Sequence, residues 1–365
     1  MARTGRLDNM RQLLRGALYL LSIGLAVHLV LPQVSGLERS AKLIAEASPF
    51  LIGAAFLAEL LSASCYAELL GRSVGRASGM GNSMRFRRRR GLGRWFMLRL
   101  TISEAGASHV LPGGGLSMAA VTYSALRTRG FEPVKIGRAL AVVSALVYSS
   151  LGVIFAGSLV YVLLNRDLGA IASIATILGL TVTLAAFVGS YAAYRRPQLA
   201  RQALARILRL IGTVFRRDWS RQEAEEISKK FVAHLGDELR TTSRQLLVHP
   251  AEAVRLSALA FGYWIFDFIC LFLVFEALGV PAGIVGLIVS YGISTAAGTM
   301  PLTPGGVGVF ETTMLATLAL LGFGAAAAIP ILGYRLFNFW LPIPLAAILY
   351  PTLRGRSTKP KQKPG

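Results

Sequence analysis

Charge is what this sequence has least of. Only 16% of its 365 residues are Asp, Glu, Lys or Arg, against roughly 25% in a soluble domain. That is too little charged surface to enclose a water-soluble core of this size. Acidic residues are the scarcer sign, 18 against 39 basic ones. Cysteine is limited to Cys65 and Cys270, both in apolar stretches with no CxxC and no metal-ligand spacing, which excludes a disulfide framework and a structural metal site. There is no HExxH, no GxGxxG after a strand, no Walker sequence and no nucleophile with an ordered base. An enzyme is therefore not expected, no cofactor is implied, and ATP has no local binding motif.

What the chain does have is apolar length. Hydrophobic residues make up 54% and the mean hydropathy is +0.56, the composition of a polytopic membrane protein. Full-length apolar runs lie at about 16–34, 49–70, 139–164, 168–194, 256–278 and 325–351. Each is long enough to cross ~30 Å of hydrocarbon at 1.5 Å per residue. Arg3, Arg6, Arg11 and Arg15 precede the first run, which reads as an anchor rather than a signal peptide because many more spans come after it. Two further stretches, 100–126 and 284–322, are interrupted by Pro-Gly-Gly.

The basic residues orient these segments. With the N-terminus in the cytoplasm, nine Arg between 72 and 99 fall inside, as do thirteen Lys/Arg between 195 and 255. The cluster at Arg127, Arg129, Lys135 and Arg138 is cytoplasmic only if 100–126 enters and leaves by one face. The tail with Arg354, Arg356, Lys359, Lys361 and Lys363 is cytoplasmic only if 284–322 does the same from outside. This threading leaves Arg39, Lys42, Arg166 and Arg335 as the only basic residues not on the cytoplasmic side.

Shifting the chain by 192 overlays the two interrupted stretches without a gap. Ala105, Gly106, Pro112, Gly113, Gly114, Leu126, Gly130 and Phe131 fall on Ala297, Gly298, Pro304, Gly305, Gly306, Leu318, Gly322 and Phe323. The predicted fold is all-α: about six full transmembrane helices plus two re-entrant broken-helix hairpins in an inverted-topology repeat, the layout of secondary transporters. A Pro-Gly-Gly turn inside the bilayer needs protein or a wet cavity to satisfy its backbone. The helix N-terminus that follows points free N–H groups there, a seat for phosphate or carboxylate.

Ionisable residues inside the apolar segments are the remaining candidates. An ion facing lipid at mid-bilayer costs ~2.5–3.5 kcal/mol on the translocon scale. Glu104, Asp267, Glu311 and Arg335 are therefore expected to face a central cavity able to hold a charged or zwitterionic headgroup, with the alternative that Asp267 or Glu311 simply pairs with Arg335. His109 reads as a satisfied polar neighbour. Glu59, Glu68 and Glu276 are assigned to interfaces, without a role. The run Arg87–Arg90 suits anionic lipid better than nucleic acid. Loop 195–255 carries two amphipathic patterns that lie on the inner leaflet or dock a cytoplasmic partner.

The segments LPGGGLSMAAVTYSALRTRGF and PLTPGGVGVFETTMLATLALLGF, with a basic loop between them, resemble the membrane domain of bacterial lysylphosphatidylglycerol synthases and related stand-alone flippase-like proteins. The likeness covers roughly 15–350 and is most specific at TPGGVGVFE. It implies movement of an aminoacylated phospholipid between leaflets of the bacterial plasma membrane, and the charge distribution places both termini in the cytoplasm. The likeness places Pro112, Gly113, Gly114, Pro304, Gly305, Gly306, Gly308 and Glu311 at the site. The synthases carry a soluble aminoacyl transferase domain, whereas this sequence ends at KPKQKPG, so lipid synthesis is not expected and polyprenyl-linked or glycosylated lipids are equally admissible. The expected division is 1–194 as first half, 195–255 as basic loop, 256–351 as second half and 352–365 as a basic tail. Two other functions fit the same features: a transporter of a small anion or metabolite, and a non-catalytic membrane subunit of an envelope- or lipid-synthesis enzyme.

Overall fold

The structure, a computed structural model, describes residues 45–79, 92–111, 115–165, 250–280, 282–299, 303–323 and 325–353, with isolated helical positions between 181 and 229. In chain order the described helices are α1 (Pro49–Ala77), α2 (Arg94–Val110), α3 (Gly115–Arg127), α4 (Pro133–Asn165), α5 (Pro250–Ala277), α6 (Ile284–Gly298), α7 (Val309–Leu320), α8 (Ala328–Arg335) and α9 (Pro342–Leu353). No strand occurs among the described residues. Four helical stretches are long and apolar enough to cross a membrane: Pro49–Ala77, Pro133–Leu164, Pro250–Ala277 and Ala328–Leu353. The protein is an all-α membrane protein. The expected spans at 16–34 and 168–194 and nearly all of loop 195–255 lie outside the described residues, as does the tail from 354.

Proline sets where several helices begin. It opens α1, α4, α5 and α9, at the position where its missing N–H is an orphan in any case. Consequently α4 and α5 start six residues before the apolar runs they contain, taking in Lys135, Arg138, Glu252 and Arg255. The polar ends are held by ion pairs. Arg72 on α1 bonds Glu68 at 2.8 Å and reaches Glu252 on α5 at 3.3 Å. At the other end of the same two helices the Ser48 backbone N–H donates to the carbonyl of Ala277 at 3.0 Å. The two contacts make α1 and α5 antiparallel neighbours over their whole length.

Both interrupted stretches are helix pairs. At 17 and 13 residues, α2 and α3 reach about 25 and 20 Å, and α6 and α7, at 15 and 12 residues, about 22 and 18 Å, so none alone crosses ~30 Å of hydrocarbon. α2 packs against α3 and α6 packs against α7. The two pairs end in the same cap. The Phe131 N–H donates to the Leu126 carbonyl and the Gly130 N–H to Arg127, while Phe323 donates to Leu318 and Gly322 to Ala319. Gly130 and Gly322 take the positive φ, 81° and 89°, that this Schellman arrangement requires. Three identities of the 192-residue shift, Leu, Gly and Phe, are thereby accounted for by one capping geometry.

After each cap comes a long helical stretch, continuous in α4 and broken after the second cap. There α8 and α9 are joined by a π turn, Leu336–Trp340, closed by the Leu341 N–H donating to the Leu336 carbonyl at 2.8 Å. Pro342 and Pro344 have no N–H to offer the preceding turn, which favours the wider turn there. Packing follows the same correspondence: α2 lies on α9, and its counterpart α6 lies on α4.

Candidate functional site

A cavity of about 210 Å³ is lined by residues of α1, α2, α3, α5, α6, α7 and the α8–α9 stretch. Its geometry begins at the second Pro-Gly-Gly. Gly305 and Gly306 have φ of 59° and 70°, a region L side chains rarely adopt. A Cβ on Gly305 would strike the Phe339 ring and come 3.1 Å from His109 Cα, and one on Gly306 would lie 2.9 Å from Gly298 Cα. Close approach of three chain segments therefore needs glycine at both positions.

The turn is clamped by charge. The Gly308 N–H donates to Glu311 Oε2 at 2.7 Å, capping α7, while Arg335 Nε donates to Glu311 Oε1 at 2.5 Å and Arg335 Nη2 to the Gly305 carbonyl at 3.3 Å. Arg335 also lies over the Phe310 and Phe339 rings, 4.8 and 4.6 Å from their centroids. Both Glu311 oxygens and the guanidinium are thus engaged within the protein, and this pair contributes no net charge to the cavity. His109 stacks on Phe339 with centroids 4.4 Å apart, and its Nδ1 lies 3.0 Å from the Phe339 carbonyl. A carbonyl only accepts, so Nδ1 carries the hydrogen.

Asp267 is the centre of a second cluster. It is 2% exposed and accepts from Tyr291 at 2.6 Å, from Tyr334 at 2.8 Å and from Asn338 at 2.7 Å. Glu59 lines the same cavity and is an electrostatic neighbour of Asp267. The antiparallel pairing explains the meeting. Glu59 stands eleven residues after Ser48 and Asp267 ten before Ala277, which puts them at the same depth of their helices. Both line the cavity, amid the rings of Tyr66, Tyr263, Trp264 and Tyr334.

The expected site residues thus separate. Asp267, Arg335 and Gly305 line the cavity. Glu311, Gly306 and Gly308 build its wall from behind. Glu104 is fully buried and not part of the lining; Thr122 donates to its Oε2. For Pro304 only the backbone, at the start of a 3-10 turn, is described, and Pro112, Gly113 and Gly114 lie outside the described residues. Glu59, assigned from sequence to an interface, faces the cavity instead. Its place in the middle of the run 49–70 carried the signal, since the desolvation cost that singled out Asp267 applies equally to it. Thr101 and Thr295, 5% and 9% exposed, also line the cavity, and nothing in their sequence surroundings marks them.

Comparison with known proteins agrees with this architecture. The family model for the lysylphosphatidylglycerol synthase TM region matches residues 19–346. A UPF0104 membrane protein of Methanothermobacter thermautotrophicus is 26% identical over 144 residues, which is 39% of this chain and 42% of that relative. The chain thus spans less than half the length of the curated relative it matches. With nine-tenths of its residues inside the family model, this chain belongs to the lysylphosphatidylglycerol synthase transmembrane-region family.

Proposed function

We propose that this protein is a lipid flippase-like transporter of the bacterial plasma membrane, moving a lipid with a charged headgroup between leaflets without catalysing a covalent step. The cavity is the observation that carries this. It places two acidic side chains, the half-buried Glu59 and the buried Asp267, among four aromatic rings, while its one Lys/Arg lining residue among those described, Arg335, is neutralised by Glu311. A net acidic, aromatic-walled chamber favours an ammonium over a phosphate, so the cationic end of an aminoacylated phospholipid suits it better than a purely anionic headgroup.

The two halves support movement as well as binding. α1 to α4 and α5 to α9 repeat one order of elements, and their first helices run antiparallel, as expected of an inverted-topology repeat with 1–194 and 256–351 as halves. Rocking of one half against the other about the α1–α5 seam opens such a chamber to each leaflet in turn. The distribution of basic residues supports cytoplasmic termini and a loop 195–255 resting on anionic lipid or a cytoplasmic partner.

Reconstitution in vesicles with an acyl-chain-labelled lysylphosphatidylglycerol tests the proposal. The wild-type protein should carry the label between leaflets, and Gly305→Leu, which fills the meeting point of three segments, should abolish this while the protein remains monodisperse. Uptake of a water-soluble solute with no lipid movement would transfer the assignment to a small-metabolite transporter.

A further inference from the structure

The Asp267 carboxylate has four lone-pair positions. Tyr291, Tyr334 and Asn338 fill three of them with hydrogens, and Glu59 is the other carboxylate lining the cavity, at the same level of the α1–α5 pair, where Ser62 Oγ donates to the Tyr263 carbonyl at 2.8 Å. Two adjacent carboxylates without a cation repel one another strongly in a buried site. A single proton between them removes the repulsion and completes the Asp267 shell. Glu59 Oε2 is buried and has no hydrogen-bond partner among the described residues, so Glu59 has a second, unengaged oxygen within a cavity-lining side chain.

The surroundings supply no competing charge. Tyr263 and Cys270 face the pair from α5, Tyr291 from α6 and Tyr334 from α8. The Tyr66 ring on α1 contacts that of Tyr263, and outside the lining Tyr148 on α4 and Glu104 on α2 are the next titratable groups. All are acids. Among the described residues the bases lining the cavity are Arg335, held by Glu311, and His109, tied to Phe339. An independent pointer to an occupant comes from Thr101 and Thr295. Both residues line the cavity and are more than nine-tenths buried, and their hydroxyl oxygens have no hydrogen-bond partner among the described residues.

We propose that Glu59 and Asp267 share one exchangeable proton, and that the ammonium group of a lipid headgroup displaces it, so that one proton leaves for each cationic headgroup bound. Charge balances: the pair carries one negative charge when protonated, and after exchange two carboxylates face one ammonium, again one negative charge. The released proton goes to water in the cavity. This makes the protein a proton–lipid exchanger and names the headgroup class as primary or quaternary ammonium. It rests on the transport function proposed above.

The test uses the full chain in vesicles holding acyl-chain-labelled lysylphosphatidylglycerol or equally labelled phosphatidylglycerol, with leaflet occupancy read by a membrane-impermeant quencher. A one-for-one exchange predicts that each pH unit across the membrane shifts the leaflet ratio of the lysyl lipid up to about tenfold, since one unit is ~1.4 kcal/mol, and leaves phosphatidylglycerol where it was. Glu59→Gln should make the lysyl lipid's ratio indifferent to the pH gradient. Movement of the lysyl lipid by wild type with no response to the gradient overturns the exchange and leaves lipid transport standing. If neither lipid moves, the transport function falls, and infrared difference spectra of wild type across a pH series still decide the proton. A protonated-carboxyl stretch that disappears in Glu59→Gln and shifts in Asp267→Asn supports the shared proton; its persistence unchanged in both variants overturns it.

Discussion

Arg335 and Glu311 face one another at 2.5 Å, with the guanidinium 6% and the carboxylate 8% exposed. Residues 24 apart in sequence thus fasten the α8–α9 stretch to the cap of α7 and, through the Gly305 carbonyl, to the turn between α6 and α7. Breaking a buried pair by removing one partner costs about 3–5 kcal/mol because the other charge is left uncompensated. Arg335→Met and Glu311→Leu should each destabilise the protein by that much in detergent melting. The double variant should lose clearly less than the sum, a coupling that a double-mutant cycle measures directly.

Gly306→Ala puts a methyl group against the Gly298 backbone at a φ of 70°. The conformational strain alone is about 1–3 kcal/mol, and the clash adds to it. Gly137 offers the contrast: it lies in α4 with nothing near an added Cβ, and Gly137→Ala should stabilise the helix by about 0.5–1 kcal/mol. Thermal unfolding of the two variants under identical conditions should move in opposite directions.

Thr122 donates to Glu104, a side chain with no exposure at all. Thr122→Val keeps the shape and removes the hydrogen, so it should cost about 1–3 kcal/mol. Thr122→Ser, which retains the donor, should recover most of the loss; equal destabilisation by Val and Ser would place the effect in packing rather than in the hydrogen bond.

The inverted repeat is tested by labelling. With Cys65 and Cys270 replaced, Gly115→Cys and Val307→Cys place single thiols beside the two turns. A membrane-impermeant maleimide is expected to reach position 115 from the cytoplasmic face and position 307 from the opposite face. Labelling of both from one side would exclude opposite orientations of the hairpins.

Several elements were visible in the sequence because the physics that makes them is local. The runs at 49–70, 139–164, 256–278 and 325–351 each fall on a described helical stretch to within a few residues, since apolar length along one segment suffices to define a span. The Leu, Gly and Phe shared at 126, 130, 131 and 318, 322, 323 reappear as one cap, because a Schellman turn involves only six consecutive residues. Helix starts were missed by about six residues where proline, rather than hydropathy, sets the boundary, as at Pro133 and Pro250.

By itself the sequence determined that the chain is helical, membrane-embedded and interrupted twice at equal spacing, since hydropathy, proline and glycine act through their immediate neighbours. Only the tertiary structure decided which buried charge meets which. It set Glu311 against Arg335, gave Glu104 to Thr122 and brought Glu59 beside Asp267 from 208 positions away, because the depth and rotation of one helix against another depend on packing over its whole length.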